Sequence, residues 1–390
     1  MKIFAKYNVS KKDSSYIILA VTSLVMYIFG HSTEWGQLPF PDKLFYVPCA
    51  LTLLVAITSK NYWRFSKADK YFTIFWCITF LNTLIVAEIQ FEVIFNSVIG
   101  FLIFRYLTKV NVRPLLFILV YLTPAILFIH YAYSNPLGLS LGYRYGGFQG
   151  DPNCFSFAMN VLVFACCYVI NNKAKRWEVG LCIACLVCIL PLLLAAASRA
   201  SLAIMALLII YTFKDVLSKN KGLAILVIVV GVTFGGKYMM RFSTQIENVT
   251  NRYTETKGSD EDYRAQELTM IPYVLRSHPE YILFGIGYSE SLHAHAKFIE
   301  YYHEGRSHNT YMSVLLEEGV FGFILFMLFL KETAMTTWRR RNLPDGKFRV
   351  IMMFATLFFI YTIYSLPFLP FWFIINVISN TRTDLQHDTI

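Results

Sequence analysis

Val179–Ala196 reads VGLCIACLVCILPLLLAA, an uncharged run closed on one side by Lys175 and Arg176 and followed on the other by Arg199. About 20 mostly apolar residues suffice for a helix to cross the hydrocarbon of a bilayer. Cys182, Cys185 and Cys188 share helical spacing within it, but no histidine or acid accompanies them there, so they read as small packing residues and not as metal ligands.

Working outward, comparable runs fill most of the chain: Tyr16–Gly30, Leu44–Thr58, Tyr71–Ala87, Phe91–Leu107, Pro114–Tyr131, Cys154–Ile170, Ser201–Phe213, Leu223–Phe234, His308–Leu330, Val350–Tyr364 and Leu366–Ile378. Together they predict an all-α, polytopic integral membrane protein with about twelve transmembrane helices. The last two runs meet at Ser365, as a tight hairpin or one broken helix. The first follows a basic start without a small-residue cleavage site, so it is expected to be a membrane helix and not a cleaved leader.

Composition agrees. Of 390 residues, 56% are hydrophobic and 15% charged; soluble domains carry about 25% charge. The 34 Phe and 25 Tyr fit interfacial aromatic belts. The net charge of +10 could signal nucleic acid, but the basic residues cluster between apolar runs, which is the signature of membrane orientation. With Lys2, Lys6, Lys11 and Lys12 placed inside, the inner loops hold Lys60, Arg64, Lys67 and Lys70, then Arg105, Lys109 and Arg113, then Lys173, Lys175 and Arg176, then Lys214, Lys219 and Lys221. Lys331, Arg339, Arg340, Arg341, Lys347 and Arg349 follow, and Arg382 ends inside. The short outer loops hold only Lys43, Arg144 and Arg199. Both termini are therefore expected in the cytoplasm of a bacterial inner membrane.

The chain divides into residues 1–234, with about nine spans, a polar segment 235–307 outside the membrane, and residues 308–390, with about three spans. In the polar segment, Leu268, Ile271, Val274 and Leu275 recur at helical spacing, predicting amphipathic helices over the membrane domain. None of the eight cysteines lies there, which excludes a disulfide framework as its organising principle. His293, His295 and His303 lack a matching carboxylate frame and are not read as a metal site.

The candidate chemistry gathers on the outer side. Arg144 lies in GYRYGGFQGDPN, where Asp151 and Pro152 fit the N-cap and first residue of the next helix and Asn153 follows. Arg199 stands at the mouth between two spans. An arginine there is either snorkelling to the interface or holding an anion, and its planar fork of donors suits a diphosphate. His308, beside Arg306, opens HNTYMSVLLEEGVFG at an outer helix start and is a candidate general base. Glu317 falls about 13 Å further along a straight helix, where a carboxylate is either functional or an interior tie between helices.

Ser198-Arg199, an outer loop carrying Arg264, then Gly285-Ile286-Gly287, then His308-Asn309-Thr310-Tyr311 with Glu317, Gly319 and Gly322, resemble the O-antigen ligase and polymerase superfamily. The segment Gly147–Leu330 carries these pieces; elsewhere the likeness is one of hydropathy. Met312 departs from the leucine common in the family, a volume-conserving change. The resemblance implies inverting, metal-independent and cofactor-free glycosyl transfer at the periplasmic face. The donor would be an undecaprenyl-diphosphate-linked glycan, and the acceptor another glycan or lipid A-core. Arg199 and Arg264 would hold the diphosphate and His308 would act on the acceptor hydroxyl, with Arg144, Asn153, Arg306, Asn309, Tyr311 and Glu317 binding substrate. The Asp151-Pro152-Asn153 element leans to polymerase over ligase. A flippase or transporter has a similar span count, but polar residues at midplane would be expected of it, whereas here they gather outside. Membrane lipid is the other expected partner, and nucleic acid is not expected.

Overall fold

A computed structural model describes residues 4–5, 7–30, 44–86, 91–134, 136, 144–149, 151–172, 175–219, 247, 271–288, 309–343 and 345–380. Regular structure among these residues is helical, without strands. The helices are α1 (Lys11–Gly30), α2 (Tyr46–Ile57), α3 (Lys67–Val86), α4 (Phe91–Phe104), α5 (Arg113–Ser134), α6 (Pro152–Asn171), α7 (Arg176–Ala196), α8 (Arg199–Lys219), α9 (Thr310–Arg339), α10 (Gly346–Ile360) and α11 (Leu369–Ile378). Each of these answers one apolar run; the remaining run, Leu223–Phe234, lies outside the described residues.

Among the described residues, five helices, α1, α5, α6, α7 and α9, are long and apolar enough to cross a membrane, and α2 and α11 are apolar but shorter. Several apolar helices of this kind make the chain a multi-pass membrane protein. The chain forms two compact units: residues 1–48 with 112–257, and residues 49–111 with 258–390.

In the first unit α6 is the hub, packed by α5, α7 and α8. Its span is 89% buried, against 50% for α1, α5 and α7. Neighbouring helices enclose α6, while the half-buried helices keep an apolar face for lipid.

In the second unit α9 packs most heavily on α3, and α11 packs on α4 and α10. Every residue of α11 is buried. Its Trp372 ring lies 4.6 Å from Phe72, 4.8 Å from Phe371 and 5.8 Å from Phe101. Many of the aromatic residues therefore build a core and not only interfacial belts; each such pair is worth roughly 0.5–1.5 kcal/mol beyond its burial. α10 and α11 are separate helices that pack on each other across the turn 361–368. Residues 271–277 form the described part of the expected amphipathic helices. Ile271 and Val274 are wholly buried against Ile286 and Leu316, with Leu275 and Met312 beside them.

The basic loop residues are partly structural. Arg105 is buried, 3.7 Å from Asp69, donates to Tyr62 O at 2.9 Å and sits 3.9 Å from the Phe65 ring. Arg349 pairs with Asp345 at 2.7 Å and donates to Asn380 O, which also accepts from Arg340.

Candidate active site

The first unit holds Arg144, Asn153 and Arg199. α6 begins as the sequence predicts: Asp151 caps it, its carboxylate accepting from the N–H of Asn153 at 2.6 Å and Cys154 at 2.9 Å, with Pro152 next. The preceding loop folds over this start. Gly147 takes φ +60°, and a Cβ there would overlap the Phe155 ring of α6. Tyr145 donates its N–H to Ala195 O at 2.9 Å, while its hydroxyl lies 2.8 Å from His130 Nδ1. Arg144 donates from Nε to Ala196 O at 3.0 Å and from Nη2 to Asn153 Oδ1 at 3.1 Å.

The acceptors at Ala195 and Ala196 are the last carbonyls of α7, which a helix terminus leaves without partners of its own. Ala197 then adopts φ 48°, ψ 37°, a left-handed conformation unusual for alanine. This allows α8 to begin two residues later, at Arg199. Ser198 Oγ donates to Ser201 Oγ (3.2 Å), Ser201 Oγ to Ser156 Oγ (2.8 Å), and Ser156 Oγ to Asn153 O (2.9 Å). This chain of hydroxyls ties the start of α8 to the start of α6. Arg144, Asn153 and Arg199 thus occupy one end of one unit, and Arg199 is half-buried there.

The second unit holds Asn309, Tyr311 and Glu317. The expectation of a helix starting at His308 and running unbroken past Glu317 is corrected. α9 starts at Thr310, capped by Asn309 Oδ1, which accepts from the N–H of Tyr311 (3.0 Å) and Met312 (3.3 Å). It breaks at Gly319, where φ is 64° and ψ −168°. In an intact helix, the N–H groups of Val320 and Phe321 would reach Leu316 O and Glu317 O. Here they donate to Ile282 O (2.8 Å) and Leu283 O (3.2 Å), while Leu316 O and Glu317 O accept from Ile286 (3.0 Å) and Gly287 (2.9 Å). The segment 282–287 is clipped into the broken helix, and these four interrupted groups keep partners, as a low-dielectric setting demands. Glycine is required on both sides. A Cβ on Gly285 would overlap the Glu317 carbonyl, and one on Gly319 would overlap that of Leu283. Gly285-Ile286-Gly287 and Glu317 to Gly322, separate motifs in the sequence, are one structure.

Glu317 is fully buried and its Oε2 accepts from Tyr364 OH at 2.8 Å. Asn82 of α3 donates to Phe284 O. Thr310 Oγ1 donates to Ile363 O and accepts from Ser365 N at 3.0 Å, and Tyr311 OH donates to Leu357 O at 3.1 Å. Tyr288, at the end of the clip, is buried with its hydroxyl 2.5 Å from that of Ser97. Sequence reasoning singled out neither Tyr288 nor Tyr364. The polar Tyr364-Ser365 pair interrupting an apolar stretch was the available signal for the second. Arg264, Arg306 and His308 lie outside the described residues.

With this geometry in view, residues 183–327 match a family model described as O-Antigen ligase. The match spans Arg199, the clipped segment and the first half of α9, and it supports the O-antigen ligase and polymerase superfamily. Chemistry of the ligase or polymerase type, transfer of glycan between lipid-linked and acceptor substrates, is the activity of that family. No curated protein matches the chain.

Proposed function

We propose that this protein is a surface-polysaccharide polymerase of the inner membrane, moving a glycan from undecaprenyl diphosphate to an acceptor sugar hydroxyl at the periplasmic face. About twelve spans place both termini in the cytoplasm and residues 235–307 outside. The observation that carries the reading is the lacing of the Arg144 loop to the Ser198–Arg199 turn, which fixes two guanidinium-bearing residues at one end of a helical unit. Departure of a diphosphate develops negative charge, and preorganised cations in a water-poor site stabilise it strongly.

In this reading Arg199 and Arg264 bind the diphosphate, and Arg144, Asn153, Arg306, Asn309, Tyr311 and Glu317 bind substrate. His308 accepts the proton of the attacking hydroxyl. Ligase activity toward lipid A-core uses the same donor chemistry and differs only in acceptor.

The test is a reconstituted transfer assay with lipid-linked donor, offering a lipid-linked glycan and lipid A-core in separate arms, with EDTA present. Wild type is expected to elongate the lipid-linked glycan in EDTA and to lose rate below about pH 6, as a histidine base of ordinary pKa becomes protonated. His308→Ala is expected to lose about 10²–10⁴ in rate. Arg199→Ala and Arg264→Ala should abolish transfer at normal protein levels, and Arg→Lys should rescue poorly because a point charge replaces a fork. Near wild-type rates in His308→Ala or Arg264→Ala would remove the mechanism; transfer to lipid A-core alone would make the protein a ligase.

A further inference from the structure

Outside the catalytic reading, the second unit carries a groove of about 240 Å³ between the last turns of α9 and the stretch of α10 from Val350 to Leu357. Its floor is apolar: Met335 and Trp338 from α9, Val350, Phe354 and Leu357 from α10. Trp338, Met335 and Phe354 are 46%, 38% and 60% exposed. Lys331 is the charged member among its described lining residues and is itself exposed.

Cations gather at the end where α9 turns into α10. Arg339, Arg341 and Lys347 are exposed. Arg341 lies 4.9 Å from the Trp338 ring and donates one N–H to Trp338 O at 3.3 Å, using one of the five donors of its guanidinium. Lys347 lies three residues before Val350 and seven before Phe354, hence on the same stripe of α10 as the groove floor. Arg340 and Arg349 belong to a different group, since they are engaged with Asn380 O and Asp345. From Trp338 to Lys331 the groove runs about 10 Å along the helix.

We propose that this groove is a binding site for an anionic phospholipid of the surrounding bilayer. One acyl chain lies along Met335, Phe354 and Leu357, and the phosphate is held by Arg341 and Lys347. The volume is below the roughly 300–1,000 Å³ of small-molecule pockets and suits a single extended chain. The pairing of an apolar trough with a cationic rim beside an exposed tryptophan is complementary to an amphiphile with a negative head; a zwitterionic lipid gains the trough but not the rim. Basic pockets between transmembrane helices bind anionic head groups for this reason, at about 1 kcal/mol per cation near the surface, or about fivefold in affinity each.

The test is native mass spectrometry of the full chain, reconstituted in mixed phosphatidylglycerol and phosphatidylcholine nanodiscs and released stepwise, which reads retained lipid directly and needs no glycan transfer. Wild type is expected to retain phosphatidylglycerol over phosphatidylcholine by about 25-fold. Arg341→Gln with Lys347→Gln should reduce that preference about 25-fold at unchanged thermal stability. Phe354→Trp, which fills the trough without altering charge, should lower retention of both lipids. Equal retention of the two lipids by wild type, or a double variant that keeps the wild-type preference, would overturn the site. Loss on removing charge with no effect of Phe354→Trp would also overturn it, since that is ordinary attraction to a charged surface.

Discussion

The two ends that carry the family-like motifs are built on opposite principles. In the first unit, Arg144 spends its donors on Ala196 O and Asn153 at the junction of α6, α7 and α8, and Arg199 opens α8 half-buried nearby. In the second, the motif residues Gly285, Gly287, Glu317 and Gly319 are consumed by a backbone exchange and a buried tie to Tyr364. A motif in one unit sets two guanidinium-bearing residues at a helix junction; a motif in the other fixes main chain. The glycines form an architectural joint, and Glu317 is tied beside it through Tyr364.

The sharpest way to break this contrast is Gly319→Ala. It adds a Cβ against the Leu283 backbone at φ 64°, ψ −168°, joining the strain of a conformation almost confined to glycine, about 1–3 kcal/mol, to overpacking of about 1–3 kcal/mol. Most of the folded protein is expected to disappear on size-exclusion profiles after mild heating. Gly180→Ala, in α7 with no atom within 4 Å of the added Cβ, should be neutral or stabilising under the same heating. A folded but inactive Gly319→Ala protein would show that the joint serves chemistry directly.

Tyr364→Phe comes next. It leaves a buried Glu317 oxygen without its 2.8 Å donor, at a cost of roughly 1–3 kcal/mol. A lowered melting temperature in detergent is expected, and Glu317→Gln with Tyr364→Phe together should cost less than the sum of the two single changes. Strict additivity would break the pair.

The smallest effect is expected in the first unit. Asp151→Ala removes the cap of α6 and should cost about 1 kcal/mol, while Asp151→Asn should cost only a few tenths. A fall in transfer activity beyond the loss of stability would mean that Asp151 also positions Arg144, bringing the first unit closer to the second in character.

Much of the fold was legible because lipid imposes long apolar helices, and period and length survive in the sequence without knowledge of any contact. The Asp151–Pro152 helix start was legible for a similar reason, since capping is local chemistry among adjacent residues. The burial of Arg105 and Arg349 was not. The alternation of charge along the chain orients loops but does not record that Asp69 and Asp345 take these two out of water. Nor could the break in α9 be read from HNTYMSVLLEEGVFG. Local propensity allows a helix through Gly319, and the alternative becomes favourable only when residues 282–287 supply four replacement hydrogen bonds.

The sequence by itself determined a multi-pass helical protein, the order of its described helices, the start of α6 and the set of residues resembling the O-antigen ligase superfamily. Only the tertiary structure decided which of these share a unit and what each one touches. Arg144 meets Asn153 and the end of α7 beside the left-handed turn at Ala197, and Gly285 lies on the Glu317 backbone and Gly319 on that of Leu283 because neither carries a Cβ. The reason is physical. Apolar length and caps are written in neighbouring residues, whereas a hydrogen bond between positions 286 and 316 exists only once both backbones have been brought, by burial, to within 3.0 Å.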